Sequence, residues 1–230
     1  MKTHGTLALI GGGEWTAPCR DLDTDLLAQA MGKTVLVLPT AAAFEHPERE
    51  VERASAWFSD LGTSAEGLMV LNRRDAEADA NIKAARDAEF LYIGDGSPLH
   101  LRSVLKGSAL YDAIVDAYRR GAVLAASGAG ATVLCDPMVD PRGGAYTVGL
   151  ALVSNLAVFP YHGSAADHIR ERSVDLLSPD AVLVGLDEAT AIVRKGEAEW
   201  MVEGAGRATL YNKRGGKPKV VKPGASLPLS

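Results

Sequence analysis

The chain has 230 residues, is 47% hydrophobic and carries a formal charge of −5. That length can bury a sizeable core in a single domain. The mild acidic balance argues against a nucleic-acid surface, and no apolar run reaches the roughly 18 residues of a membrane span.

The start of the chain does not run through the basic start, long apolar run and cleavage site of a signal peptide in succession, so a cytoplasmic protein is expected. The two cysteines, Cys19 and Cys135, have no metal-ligand spacing and read as free thiols. Short buried strands are expected over 6–10, 34–38, 67–71, 90–93, 122–126, 156–159 and 181–185. Helices are expected over 21–31, 47–61, 75–88, 99–105, 109–120 and 165–177. Continuous apolar strands alternating with helices predict an α/β fold in three layers, a mostly parallel sheet with helices on both faces. Near the end, 190–194, 199–202 and 208–211 are separated by glycine-containing turns and read as a C-terminal β-hairpin region. The expected organisation is one α/β domain over 1–212 and an extended or mobile tail over 213–230.

Open α/β sheets put ligands beyond the carboxyl ends of their strands. That rule gathers Gly11-Gly12-Gly13-Glu14, Thr40, Gly94-Asp95-Gly96-Ser97, Ser127-Gly128 and His162. The glycine run fails the G-x-G-x-x-G spacing, because position 16 is Thr16, and no acidic residue ends the second strand. No dinucleotide or other cofactor is therefore expected. Segment 94–98 reads as a strand-to-helix turn capped by Asp95 or Ser97 with Pro98 at the first helical position, and the same turn can also aim backbone N–H groups at one point, as an oxyanion hole requires. His162 follows a buried strand, where a triad base belongs, and reads equally well as a structural histidine. No two histidines have the helical spacing of a metal site, so no metal is expected.

Segment 121–131, Gly-Ala-Val-Leu-Ala-Ala-Ser-Gly-Ala-Gly-Ala, has the build of a nucleophile elbow, a sharp turn from strand to helix. Its apex falls on Gly128, which carries no nucleophile. Ser127 is the nearest substitute, but one residue earlier on a strand its hydroxyl should face the opposite way. Cys135 reads as a buried helix residue.

Several segments together carry a resemblance. They are Leu9-Ile-Gly-Gly-Gly-Glu14, Leu38-Pro-Thr-Ala41, Tyr92-Ile-Gly-Asp-Gly96, the elbow, Asp136-Pro-Met-Val-Asp-Pro141, Pro160-Tyr-His162 and Val184-Gly-Leu-Asp-Glu-Ala-Thr-Ala-Ile192. In this order the chain resembles the serine peptidases typified by aspartyl dipeptidase and cyanophycinase, whose fold is class I glutamine amidotransferase-like. The resemblance runs from Leu7 to about Tyr211. It implies a nucleophile position at Gly128, a base at His162 and an acid at Asp136, with Asp140 and Glu188 as rivals. It also implies oxyanion donors at Ala129 and within Gly94, Asp95 and Gly96. Gly12, Gly13, Glu14, Thr40, Asp140 and Glu188 are expected to face the ligand. Acidic selectivity in such peptidases needs a cationic pocket, for which Arg102, Arg142, Arg170 and Arg172 are the candidates.

Loss of a triad serine lowers the rate by about 10⁶-fold. The expectation is a catalytically impaired homologue or inactive variant that binds a small peptide-like ligand, with no nucleic-acid or membrane partner and a homodimer left open. The alternatives are an active serine-type peptidase or small amide hydrolase using Ser127, and a natural serine at 128 replaced here by glycine.

Overall fold

The computed structural model describes residues 4–30, 34–213 and 216–229. The first half alternates strand and helix. It contains β1 (Thr6–Ile10), α1 (Arg20–Gln29), β2 (Val35–Leu38), α2 (Pro47–Asp60), β3 (Ala65–Gly67) and α3 (Asp79–Asp87). β4 (Phe90–Ile93), α4 (Pro98–Leu105), α5 (Ala109–Arg119), β5 (Val123–Ser127) and α6 (Ala129–Leu134) follow. The second half is richer in strands. It contains β6 (Cys135–Asp136), β7 (Met138–Val139), β8 (Tyr146–Thr147), β9 (Val153–Ser154), β10 (Leu156–Phe159) and α7 (Asp167–Asp175). It ends with β11 (Val182–Leu186), β12 (Thr190–Lys195), β13 (Met201–Gly204), β14 (Ala208–Asn212) and β15 (Lys219–Val221).

The main sheet has the order β13-β12-β1-β5-β4-β2-β3. Its strands from β1 to β3 pair in parallel, and β12 and β13 close one edge antiparallel. Side-chain alternation shows why both faces are covered. Leu7 and Leu9 enter one buried cluster, and Ala8 and Ile10 enter the other. The second cluster packs Phe58, Phe90 and Tyr92 between this sheet and the α1–α2 side.

Strands 156–159 and 181–185 leave the main sheet. They pair in parallel as β10 and β11 within a second sheet of order β15-β14-β11-β10-β6-β9. The larger buried cluster spans both sheets, joining Leu7, Leu9 and Leu124 to Val158, Val184 and Leu210. Strand β12 stays with β1, whereas β14 crosses to β11, so the three terminal segments are shared between two sheets.

Local chemistry moved several boundaries. The third strand ends at Gly67, where sequence spacing starts it, and a side chain at 67 would press on Val51. The helix expected from 75 starts at Asp79. The Asp75 carboxylate accepts the Leu71 and Asn72 N–H groups, and Ala78 is extended. The fourth helix is capped by Ser97, with Pro98 at its first position. The first helix ends at Gln29, and Met31 lies outside the described residues. In segment 213–230, β15 pairs with β14, and Val221 and Leu227 are buried. Its described part is therefore extended and packed.

Candidate functional site

Strand β5 stops at Ser127 and α6 starts at Ala129, so the whole change of direction falls on Gly128, with φ 50° and ψ −107°. A side chain is strongly disfavoured in that region of backbone space. The turn is tied to the first strand by Gly128 N–H donating to the Ile10 carbonyl. Gly130 lies so close to Ile93 that a Cβ there would sit 2.9 Å from it, which seats α6 on β4.

The loop after β4 brings Asp95 to the apex. Its Oδ1 accepts the Ala129 N–H at 2.6 Å and the Gly96 N–H at 2.7 Å. Its Oδ2 accepts the Tyr161 hydroxyl. Two backbone donors thus meet on one oxygen, the arrangement expected of an oxyanion hole, and that oxygen belongs to the chain's own carboxylate. Of the other N–H groups expected in the hole, that of Gly94 goes to the Leu38 carbonyl and that of Asp95 goes to Glu14 Oε1 at 3.3 Å. A Cβ built on Gly128 would lie 2.2 Å from Asp95 Cγ and 2.3–2.4 Å from its two oxygens. The carboxyl group thus also occupies the space above the apex.

Ser127 is fully buried and donates to Glu14 Oε2 at 2.7 Å. Glu14 is itself buried. Desolvation raises its pKa, the Ser127 bond opposes the rise, and the Asp95 charge adds to it. Behind this pair, Asp23 accepts the Trp57 indole N–H at 2.8 Å, and burial pushes its pKa up to about 7. Asp23 Oδ1, Tyr92 Oη and Trp15 Nε1 are buried without a protein partner.

Tyr161 is the residue of the 160–162 segment that reaches the elbow. Its backbone is left-handed, with φ 54°, and its ring covers Gly12, where a Cβ would meet it at 2.3 Å. Burial raises the pKa of its hydroxyl further, which keeps it a donor. His162 turns the other way. Its ring lies over Gly185, with Nε2 2.7 Å from the Tyr211 hydroxyl and Nδ1 3.6 Å from Asp187 Oδ1. Burial and the nearby Arg170 lower its pKa, against the pull of Asp187.

Asp136 is not beside that ring, and its carboxylate accepts the Gly149 N–H at 3.0 Å. Register explains this. Asp136 pairs with Leu156 at the start of β10, roughly 10 Å of strand before its end, whereas His162 follows that end. Asp187 follows β11, whose Gly185 pairs with Phe159 at the same level. Sequence reasoning named Glu188 and missed its neighbour. Tyr161 and Tyr211 were also missed, because nothing in a lone sequence aims a tyrosine at a loop.

The remaining named residues do not converge. Thr40 bonds the Val70 carbonyl, Asp140 pairs with Arg142, and Glu188 accepts from Ser164. Gly13 offers its carbonyl to Thr16 and Cys19. Arg102 donates to the Val148 carbonyl, Arg170 pairs with Asp167 and Arg172 is exposed, so no cationic pocket forms from them. Cys135 is fully buried, and its thiol pKa is raised by that burial. Among the described residues, no group of three or more His, Cys, Asp and Glu side chains is arranged to hold a metal ion. Nor is any helix among them long and apolar enough to cross a membrane.

A cavity of about 320 Å³ opens beside the elbow. Its polar lining includes Asp95, Tyr161 and Thr132, and its walls include Pro98, Val139, Phe159 and Ile169. A smaller recess of about 230 Å³ shares Asp95, Gly96 and Tyr161 and adds Glu14, Glu45, Glu50 and Arg53.

The family model described as peptidase family S51 matches residues 7–200. A cyanophycinase from Synechococcus elongatus is 25% identical over 223 residues, covering 91% of this chain and 69% of the relative. Peptidase E from Citrobacter koseri is 26% identical over 179 residues, covering 72% of this chain and 75% of the relative. Among solved structures, a peptidase from an acI-B1 Actinobacterium superposes with a TM-score of 0.88 at 26% identity, covering 98% of this chain and 97% of that one. A putative peptidase E from Listeria monocytogenes, at 18% identity and a TM-score of 0.68, shares the fold.

Proposed function

The chain belongs to peptidase family S51, and within it we propose that this protein binds a small peptide-like ligand without cleaving it. One observation supports the reading: the Asp95 carboxyl group takes the Ala129 and Gly96 N–H groups that an oxyanion hole would use, and it fills the space above Gly128, which has no side chain. Acyl transfer needs a nucleophile and an open hole at the same point. Ser127 is a poor substitute, being fully buried with its hydroxyl on Glu14. His162, the base implied by the family, is engaged with Tyr211 and Asp187. What remains is a mostly apolar cavity whose polar side chains are the Asp95 carboxylate, the Tyr161 phenol and the Thr132 hydroxyl, the last already bonded to the Gly128 carbonyl.

The test is labelling by a serine-reactive fluorophosphonate, alongside hydrolysis of dipeptides with an amino-terminal aspartate and of aspartate–arginine polymers. The expected result is neither labelling nor turnover. Gly128→Ser alone should also stay unlabelled, because the new side chain would meet Asp95. Labelling of the unaltered protein that disappears in Ser127→Ala would overturn the reading in favour of a relocated nucleophile.

A further inference from the structure

We propose that the ligand of the cavity beside the elbow carries an ammonium group on an apolar body and is recognised by Asp95. The inference rests on the non-cleaving, ligand-binding reading above and names its chemical class.

Three donors converge on the Asp95 carboxyl group: the Ala129 and Gly96 N–H groups and the Tyr161 hydroxyl. Such bonds fix the group and suit a charged acceptor. None of the three donors is a cationic side chain, so they hold the negative charge without neutralising it. Asp95 lines the apolar cavity and the smaller recess alike. No lysine, arginine or histidine lines the cavity among the described residues. Arg170, next to the lining residue Ile169, is turned to Asp167. In the recess, the lining cation Arg53 is paired with Glu50 at 2.9 Å. The uncompensated charge at the cavity is therefore negative.

An anionic ligand would meet Asp95 with no counter-charge, and the hole that would otherwise take its oxygen is already filled. A neutral apolar ligand would satisfy the walls and leave the carboxylate partly desolvated without a new partner, which is unfavourable. An ammonium donates to the lone-pair site of Asp95 that remains free on Oδ2, while its apolar body lies against Val139, Phe159 and Ile169. This selectivity has the opposite sign to that of a cationic, acid-selecting pocket.

Three probes share one skeleton and differ in charge: 2-phenylethylamine, 2-phenylethanol and 3-phenylpropionate. Their affinities for the full chain are measured by calorimetry, with amide shifts of Gly96 and Ala129 locating the site. The amine should bind about ten- to hundredfold more tightly than the alcohol, the margin of a charge-assisted hydrogen bond, and the carboxylate should bind weakest. Asp95→Asn should erase the preference for the amine. Ile169→Trp leaves Asp95 in place, fills the cavity and should abolish binding of all three. Equal binding of amine and alcohol, an unchanged preference in Asp95→Asn, or tightest binding by the carboxylate would each overturn the inference. Binding of the alcohol without preference would still leave a ligand-binding protein, whereas labelling at the elbow would remove that reading as well.

Discussion

Asp23 gives the clearest signature at the level of single residues. Burial raises its pKa from 3.8 to about 7, against the bond from Trp57. Between those values the folded chain holds a proton that the unfolded chain has released. Stability attributable to this group is therefore present at low pH and is lost as pH rises to about 7, by on the order of 4 kcal/mol. Glu14 is shifted in the same direction. Urea unfolding near pH 4.5 and pH 7.5 should thus show a falling stability, and Asp23→Asn should shrink that slope without erasing it. Gly128 and Asp95 form a coupled pair. Gly128→Ala should destabilise by more than the about 1–3 kcal/mol of backbone strain alone, and an Asp95→Gly background should remove only the excess that comes from the clash, a coupling that a double-mutant cycle measures. The missing nucleophile was legible in the sequence, because a glycine at an apex is a fact about one letter. The group that fills its place was not. Segment 94–97 declares a tight turn, but the direction of the Asp95 side chain depends on donors at Ala129 and Tyr161, both far away in the chain.

Among elements, the last strand and the segment after it tie the two halves of the chain together. β15 adds to the second sheet through β14, and Leu227 N–H donates to the carbonyl of Trp200, just before β13 of the main sheet. Leu227 is buried in the cluster that both sheets share. Leu227→Ala should cost about 2–5 kcal/mol by urea unfolding, as for a buried core leucine, and a mobile segment would show almost no change. Parallel strands β1, β2, β4 and β5 of the main sheet were legible because each is a continuous apolar run, whereas β3, with the sequence Ala-Glu-Gly, is not. Strands β6 to β9 have two residues each and carry no period to detect. That β10 and β11 form a second sheet is a matter of pairing, and pairing leaves no mark on either strand alone. The same gap explains the carboxylate beside His162, since only the β10–β11 register puts Asp187 level with it.

At the scale of the molecule, one buried cluster serves both sheets, so neither should melt alone. Far-ultraviolet circular dichroism and tryptophan fluorescence should give one coincident thermal transition. Their reporters are well separated, with Trp15 and Trp57 packed on the α1–α2 side and Trp200 in the shared cluster. Two transitions would mean that the second sheet folds independently. The family could be recognised from seven short segments in order, which fall at strand ends and turns along both sheets. The way the two sheets meet could not be read from them. They meet at the candidate site: Tyr161 leaves the end of β10 in one sheet, Asp95 leaves the end of β4 in the other, and a single hydrogen bond joins them. The pocket is therefore also a clasp. Drawing the second oxygen of Asp95 away from the phenol loosens this one fastening, while the Tyr161 N–H bond to the Gly11 carbonyl and the shared buried cluster still hold the seam. Tyr161→Phe opens the same clasp with nothing bound. Hydrogen–deuterium exchange at Gly96 and Ala129 should then quicken, while the β1–β5 core keeps its protection.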